Sequence, residues 1–196
     1  MVELTKNEAK AILILFKEFN ANYNANNLSK ILEISHAGVQ KLLKRLSNQN
    51  ILIHKSIGKA IIYKINLKDD FVQKLITFLL ADEAQKYLRW KDEFKELNKN
   101  RRIVMLYGSA IKNYVNAKDI DIMVIMKNED EKEVQNILKE KEKILPKKLH
   151  AILLTKKDLL DNVNKNDKVI LDIIKNAIII YGQEHYVEVM KDVPFR

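Results

Sequence analysis

The sequence predicts an α/β (α+β) chain in two parts, joined by a helical connector. Three observations carry this. Apolar residues recur at helical spacing from Ala9 to Leu46 and then switch to strand-like alternation up to Asn66. A polyampholytic helical stretch follows, from about Asp69 to Asn98. Beyond it, short apolar strands alternate with amphipathic helices, the pattern of a small mixed sheet flanked by helices. The expected parts are residues 1–67, a connector over 68–99, and residues 100–196.

The first helix is expected from about Lys6 to Phe19, with Ala9, Ile12, Leu15, Phe16 and Phe19 on one stripe. An Asn-rich loop, residues 20–27, comes next, and Asn27 is placed to cap a short second helix that turns Leu28, Ile31 and Leu32 inward. Ser35 caps a third helix with Val39, Leu42, Leu43 and Leu46 inward. Arg45, beside Leu46, is a candidate for a structural ion pair. Ile51–Lys55 and Lys59–Asn66 alternate as strands across Ser56-Ile57-Gly58, a hairpin signal.

Charge is concentrated in this first part. Residues 1–66 hold ten Lys/Arg against four Asp/Glu, an excess of six out of the chain's net +9. Such a patch favours polyanions, nucleic acid first among them. There is no cysteine, which excludes disulfides and thiolate metal sites. Apolar runs such as Ala11–Phe16 and Ala177–Tyr181 are too short to span a bilayer, so a soluble, cytoplasmic protein without membrane contact is expected.

In the connector, Tyr87, Trp90, Phe94 and Leu97 repeat as a heptad-like seam, with Leu75, Leu79 and Leu80 upstream. Two readings are open: a homodimer interface formed by residues 69–98, or packing of the connector onto the second part.

Residues 102–125, RIVMLYGSAIKNYVNAKDIDIMVI, carry most of the functional information. An apolar strand runs into Gly108-Ser109, a corner whose backbone N–H groups and hydroxyl suit phosphate. Asp119-Ile120-Asp121 then opens a second strand, and period-2 alternation puts both carboxylates on one face, roughly 7 Å apart. That is a geometry for divalent metal. Downstream, Glu129–Lys143 reads as an amphipathic helix, Lys148–Thr155 as a strand, and Ala177–Tyr181 as a closing strand before Gly182. No Walker or Rossmann glycine pattern and no Ser/His/Asp triad is found.

At Gly108, Ser109, Asp119 and Asp121 the chain resembles the DNA polymerase β-like nucleotidyltransferases, in particular their minimal branch, over about residues 100–185. The resemblance implies that Gly108 and Ser109 hold a nucleoside triphosphate (NTP), with Lys112 as the basic residue on the next turn. It further implies that Asp119 and Asp121 bind Mg2+ or Mn2+ as metal ligands and catalytic residues. Two positions depart from the pattern. Asn113 stands where a second glycine often occurs, and His150 stands where active members carry a third carboxylate on the next strand. His150 is open to three readings: metal ligand, weak base, or a satisfied histidine at a strand start. Asp158 and Glu184 are the acids to check as replacements for the missing carboxylate.

The stretch LSKILEISHAGVQKLLKRLSNQNIL, with its flanks over residues 5–66, resembles the winged helix-turn-helix core of MarR-like regulators. That resemblance implies double-stranded DNA as partner. Its groove-facing residues would be Ser35, His36, Ala37, Gln40, Lys41 and Lys44, with a wing tip of Lys55, Ser56, Gly58 and Lys59. The chemistry suits DNA: Gln40 matches adenine edges, and the lysines match guanine or phosphate.

Together the resemblances imply a DNA-binding nucleotidyltransferase that moves a nucleoside monophosphate from a metal-bound NTP to an acceptor hydroxyl. Two alternatives stay open. One is a non-enzymatic transcriptional regulator whose second domain is a degenerate nucleotide sensor or dimerisation unit. The other is an antitoxin-like transferase acting on a partner protein.

Overall fold

The computed structural model describes residues 3–58 and 60–193. The chain divides between Leu79 and Leu80 into two compact units. Both the mixed α/β class and the order of elements expected from the sequence are present.

In the first unit, α1 spans Lys6–Lys17, α2 Ala25–Leu32 and α3 His36–Asn48. Thr5 opens α1 with a capping box, its hydroxyl accepting from the Glu8 N–H while the Glu8 carboxylate accepts from the Thr5 N–H at 2.8 Å. The helix ends two residues earlier than the apolar stripe suggests. The buried Lys64 ammonium donates to the Phe19 and Ala21 carbonyls at 2.6 and 2.7 Å and holds the chain in a turn there, while Phe19 stays buried. Burial, with Lys55 nearby, lowers the Lys64 pKa.

The cap of α2 is Asn24 and not Asn27. Asn24 Oδ1 accepts the Asn27 N–H at 2.9 Å, because the helix begins three residues earlier in the asparagine run, and such a cap contributes about 1 kcal/mol. Leu28 and Leu32 are buried, whereas Ile31 is exposed. Ser35 caps α3 by accepting the Gly38 N–H. Val39, Leu42, Leu43 and Leu46 of α3 all enter the core. Arg45 forms the expected ion pair, with the buried Glu8, and so ties the start of α1 to the end of α3.

Strands β1 (Leu52–Ile57) and β2 (Ala60–Ile65) pair antiparallel with Ile57 opposite Ala60. Gly58, at φ 59°, takes the left-handed backbone that so tight a turn requires.

The division between the units falls within α4 (Asp70–Gln85), and the chain breaks again before α5 (Leu88–Glu93) and a 3₁₀ turn at Lys95–Leu97. The heptad-like seam is not a free face. Trp90, Phe94 and Leu97 are buried in the second unit's own core with Val104, Leu106, Ile120, Ile122, Ile178 and Ile180. The second of the two readings of the seam, packing onto the second part, is present for these three residues.

The second unit is built on a four-stranded sheet of β3 (Ile103–Tyr107), β4 (Asp119–Ile125), β5 (Lys148–Leu154) and β6 (Ile178–Tyr181), in the order β5-β4-β3-β6. The β3 strand is antiparallel to β4 and β6, and β4 is parallel to β5. The helices are α6 (Ser109–Lys112), α7 (Glu131–Ile144), α8 (Lys156–Asn164), α9 (Lys168–Asn176) and α10 (Gln183–Lys191). On β4, Ile120, Ile122 and Val124 point into the core, so alternation sends Asp119 and Asp121 to the opposite face. Among the described residues, no helix is long and apolar enough to cross a membrane.

Candidate functional site

Strand β3 leads straight into Gly108, whose φ of 77° lets the chain turn abruptly into α6. The glycine is required for a second reason: a Cβ there would lie 2.1 Å from Asp121 Oδ2. The corner therefore presses backbone directly against the carboxylate. Tyr107 is the register partner of Asp121 across the β3–β4 ladder. Burial, with Asp121 and Asp119 beside it, pushes the Tyr107 phenol up to about 12.

Lys147 gathers the residues between α6 and β4. It donates to the carbonyls of Tyr114, Val115 and Ala117, and its ammonium lies 4.6 Å from the Tyr114 ring centre. Arg89 lies 4.1 Å from the same ring centre. This fixes the approach to Asp119, two residues after Ala117.

Parallel pairing of β4 with β5 sets Asp121 opposite His150. His150 Nδ1 lies 3.4 Å from Asp119 Oδ2 and 3.6 Å from Asp121 Oδ1. Ligand atoms of all three side chains fall within 4.8 Å of one another, a donor set that fits a divalent cation. Burial and the neighbouring Asp119 raise the Asp121 pKa, and His150 partly offsets this. Asp158 and Glu184 are not members of this group. Asp158 is used in the capping box of α8 with Thr155, and Glu184 sits in the first turn of α10.

A cavity of about 590 Å³ opens on the Gly108–Ser109 corner and is lined also by Tyr107 and Lys112. Its far wall is α9, through Lys168, Asp172 and Asn176. Sequence reasoning missed these three. Their spacing of four residues on a helix whose Ile170, Ile173 and Ile174 are buried is the signal that marks one polar face. The Asn176 amide donates to the Asp172 carboxylate at 3.0 Å and fixes its orientation.

In the first unit, Ser35, His36, Ala37, Gln40, Lys41 and Lys44 are all exposed on α3, on the side away from its buried leucines. The Ser35 hydroxyl is engaged in its cap. His36 and Gln40 line a cavity of about 430 Å³ with Asn24, Asn26 and Tyr63. Lys55 and Ser56 are exposed on the hairpin, as is Gly58, and Lys59 lies outside the described residues. The hairpin also exposes Ile53, Ile57 and Ile61.

Family comparisons match both units. Residues 90–186 match the model described as Polymerase beta, Nucleotidyltransferase, and residues 8–66 match the TBPIP/Hop2 winged helix domain. No curated protein matches the chain. Among solved structures, a mutant of Lactococcus lactis ZitR is 21% identical over 47% of this chain and 64% of its own, with a TM-score of 0.37. A ZitR mutant in complex with DNA is 20% identical over 48% and 64%, with the same TM-score of 0.37. ZitR itself, described as a zinc-responsive MarR family member, is 23% identical over 47% and 65%, at 0.35. This chain thus spans less than two thirds of the length of these ZitR structures. By its two family matches, the chain joins a winged helix domain to a nucleotidyltransferase domain of the polymerase β family.

Proposed function

We propose that this protein transfers a nucleoside monophosphate from an NTP to an acceptor hydroxyl, and that its winged helix brings it to double-stranded DNA. The observation that carries the first half is the juxtaposition of the Gly108–Ser109 corner with Asp121, beside the carboxylate–imidazole group and the cavity. Gly108 and Ser109 offer backbone N–H groups and a hydroxyl to the triphosphate, and Lys112 and Lys168 add positive charge at the cavity wall. Asp119 and Asp121 would hold Mg2+ or Mn2+, which neutralises charge on the phosphates when bound. The acceptor oxygen forms a bond to the α-phosphorus, and the bond from that phosphorus to the bridging oxygen of the β-phosphate breaks. Pyrophosphate leaves, and the acceptor proton passes to water. In-line displacement depends mainly on positioning and charge, which this arrangement supplies.

The test is calorimetric titration of the four NTPs with Mg2+, Mn2+ or Co2+ into the wild-type chain, followed by a pyrophosphate-release assay with candidate acceptors in the same metals. Saturable, metal-dependent binding of at least one NTP is the expected result. No binding of any NTP would remove the transferase reading. One observation favours a second reading, a regulator whose second domain senses nucleotide without turnover: His150 stands where active relatives carry a carboxylate. Binding without pyrophosphate release from any acceptor would support it.

For the first unit, the exposed α3 lysines and the local excess of positive charge support DNA as partner. Lys41→Ala with Lys44→Ala is expected to weaken DNA binding and to flatten the plot of log affinity against log salt by roughly 1 for each phosphate no longer neutralised. Fluorescence anisotropy at several salt concentrations checks this. An unchanged slope would remove α3 from the interface.

A further inference from the structure

We infer that the Asp119–Asp121–His150 centre is selective for a first-row transition-metal dication, of the Co2+, Ni2+ or Zn2+ type, over Mg2+. The inference rests on the reading of the two aspartates as metal-holding and adds which metal they hold. Three facts lead to it. First, His150 is not displaced from the centre: pairing of β5 with β4 places it opposite Asp121, and its Nδ1 lies 3.4 and 3.6 Å from the two carboxylates. Second, the donor types are two carboxylate oxygens and one imidazole nitrogen. Mg2+ prefers an all-oxygen shell and loses its waters reluctantly, whereas imidazole nitrogen suits the later transition metals. Third, two carboxylates with a neutral imidazole carry a charge of −2, which one dication neutralises.

The flanking structure supports a formed centre. Gly108 backs Asp121 so closely that a Cβ there would lie 2.1 Å from Asp121 Oδ2 and force the carboxylate to move. Lys147 fixes the backbone just before Asp119. The group also stays reachable, with the His150 side chain 57% exposed against 32% for Asp119 and 19% for Asp121. A bound ion would therefore keep positions open toward solvent for water or phosphate oxygen.

The experiment uses the full chain, stripped of metal by chelation and free of nucleotide. Co2+ and Mg2+ are titrated separately and in competition into wild type and into His150→Asp, which restores an all-carboxylate set. One Co2+ per wild-type chain is expected, and the Co2+-over-Mg2+ affinity ratio is expected to fall by about tenfold or more in the variant. A ratio unchanged between the two proteins would overturn the inference, as would absence of any dication binding to wild type. If the variant does not fold, the wild type alone decides. In its Co2+ form, proton NMR should show hyperfine-shifted, non-exchanging imidazole ring C–H resonances from a ligating histidine, and their absence would equally overturn the inference. Because no nucleotide is present, the result is separable from the proposed function. Co2+ selectivity without NTP binding leaves the inference standing and removes the transferase reading. NTP binding with an unchanged metal ratio does the reverse.

Discussion

Asp119→Asn with Asp121→Asn is expected to weaken metal-dependent NTP binding by at least about 100-fold, because amide oxygens carry no charge to hold a dication against water. DNA affinity should be unchanged, since both positions lie in the second unit and the exposed lysines of α3 in the first. The same variant should melt at or above the wild-type temperature. Burial and Asp119 raise the Asp121 pKa on folding. A carboxyl shifted in that direction costs stability wherever it is ionised, so at neutral pH a neutral isostere removes the cost. Calorimetric titration, anisotropy with a DNA duplex and a thermal melt check the three statements. A variant that loses NTP binding but also melts much earlier would mean that the aspartates hold the fold and not the ligand.

The second large effect is expected from Gly108→Ala. Its backbone, at φ 77° and ψ −159°, lies in a region essentially reserved for glycine and alone costs an alanine about 1–3 kcal/mol. The added methyl would also meet Asp121 Oδ2 at 2.1 Å, so the carboxylate must swing away or the corner must open. Either movement separates the Gly108–Ser109 corner from the carboxylates proposed to hold the metal. Stability should fall by about 1–3 kcal/mol while NTP binding falls by about tenfold or more. Serine at this position should behave like alanine, since its Cβ meets the same oxygen. Wild-type NTP affinity in the alanine variant would show that contact between the corner and Asp121 is not needed for binding.

Much of this fold was legible in the sequence because its signals are local. Period-2 alternation placed β4 and its two carboxylates correctly, and the Ser35 cap and the apolar face of α3 followed from helical spacing. Where the reading went astray, the deciding contact was distant in sequence. The end of α1 is set by Lys64, more than forty residues away, and the cap of α2 was ambiguous within a run of similar asparagines. The seam at Trp90, Phe94 and Leu97 reads the same whether it packs on another chain or on its own, and only the tertiary fold separates the two. The site followed the same division. Its glycine, serine and aspartates lie within fourteen residues of one another, from Gly108 to Asp121, and could be read directly. The position of His150 needed the strand register, and the α9 wall needed the cavity.

The convergence of three carbonyls on the Lys147 ammonium has a practical consequence for anyone attaching a probe near Asp119 and Asp121. The segment between α6 and β4 looks like a convenient place to insert a tag, yet an inserted residue would pull those carbonyls apart and shift the start of β4. A side-chain label avoids this. Val115 contributes only its backbone to the Lys147 contacts, and the residue is 84% exposed. The chain also contains no cysteine. Val115→Cys would therefore give a single thiol for a spin label or fluorophore, a few residues from Asp119, without editing any native position to silence background labelling.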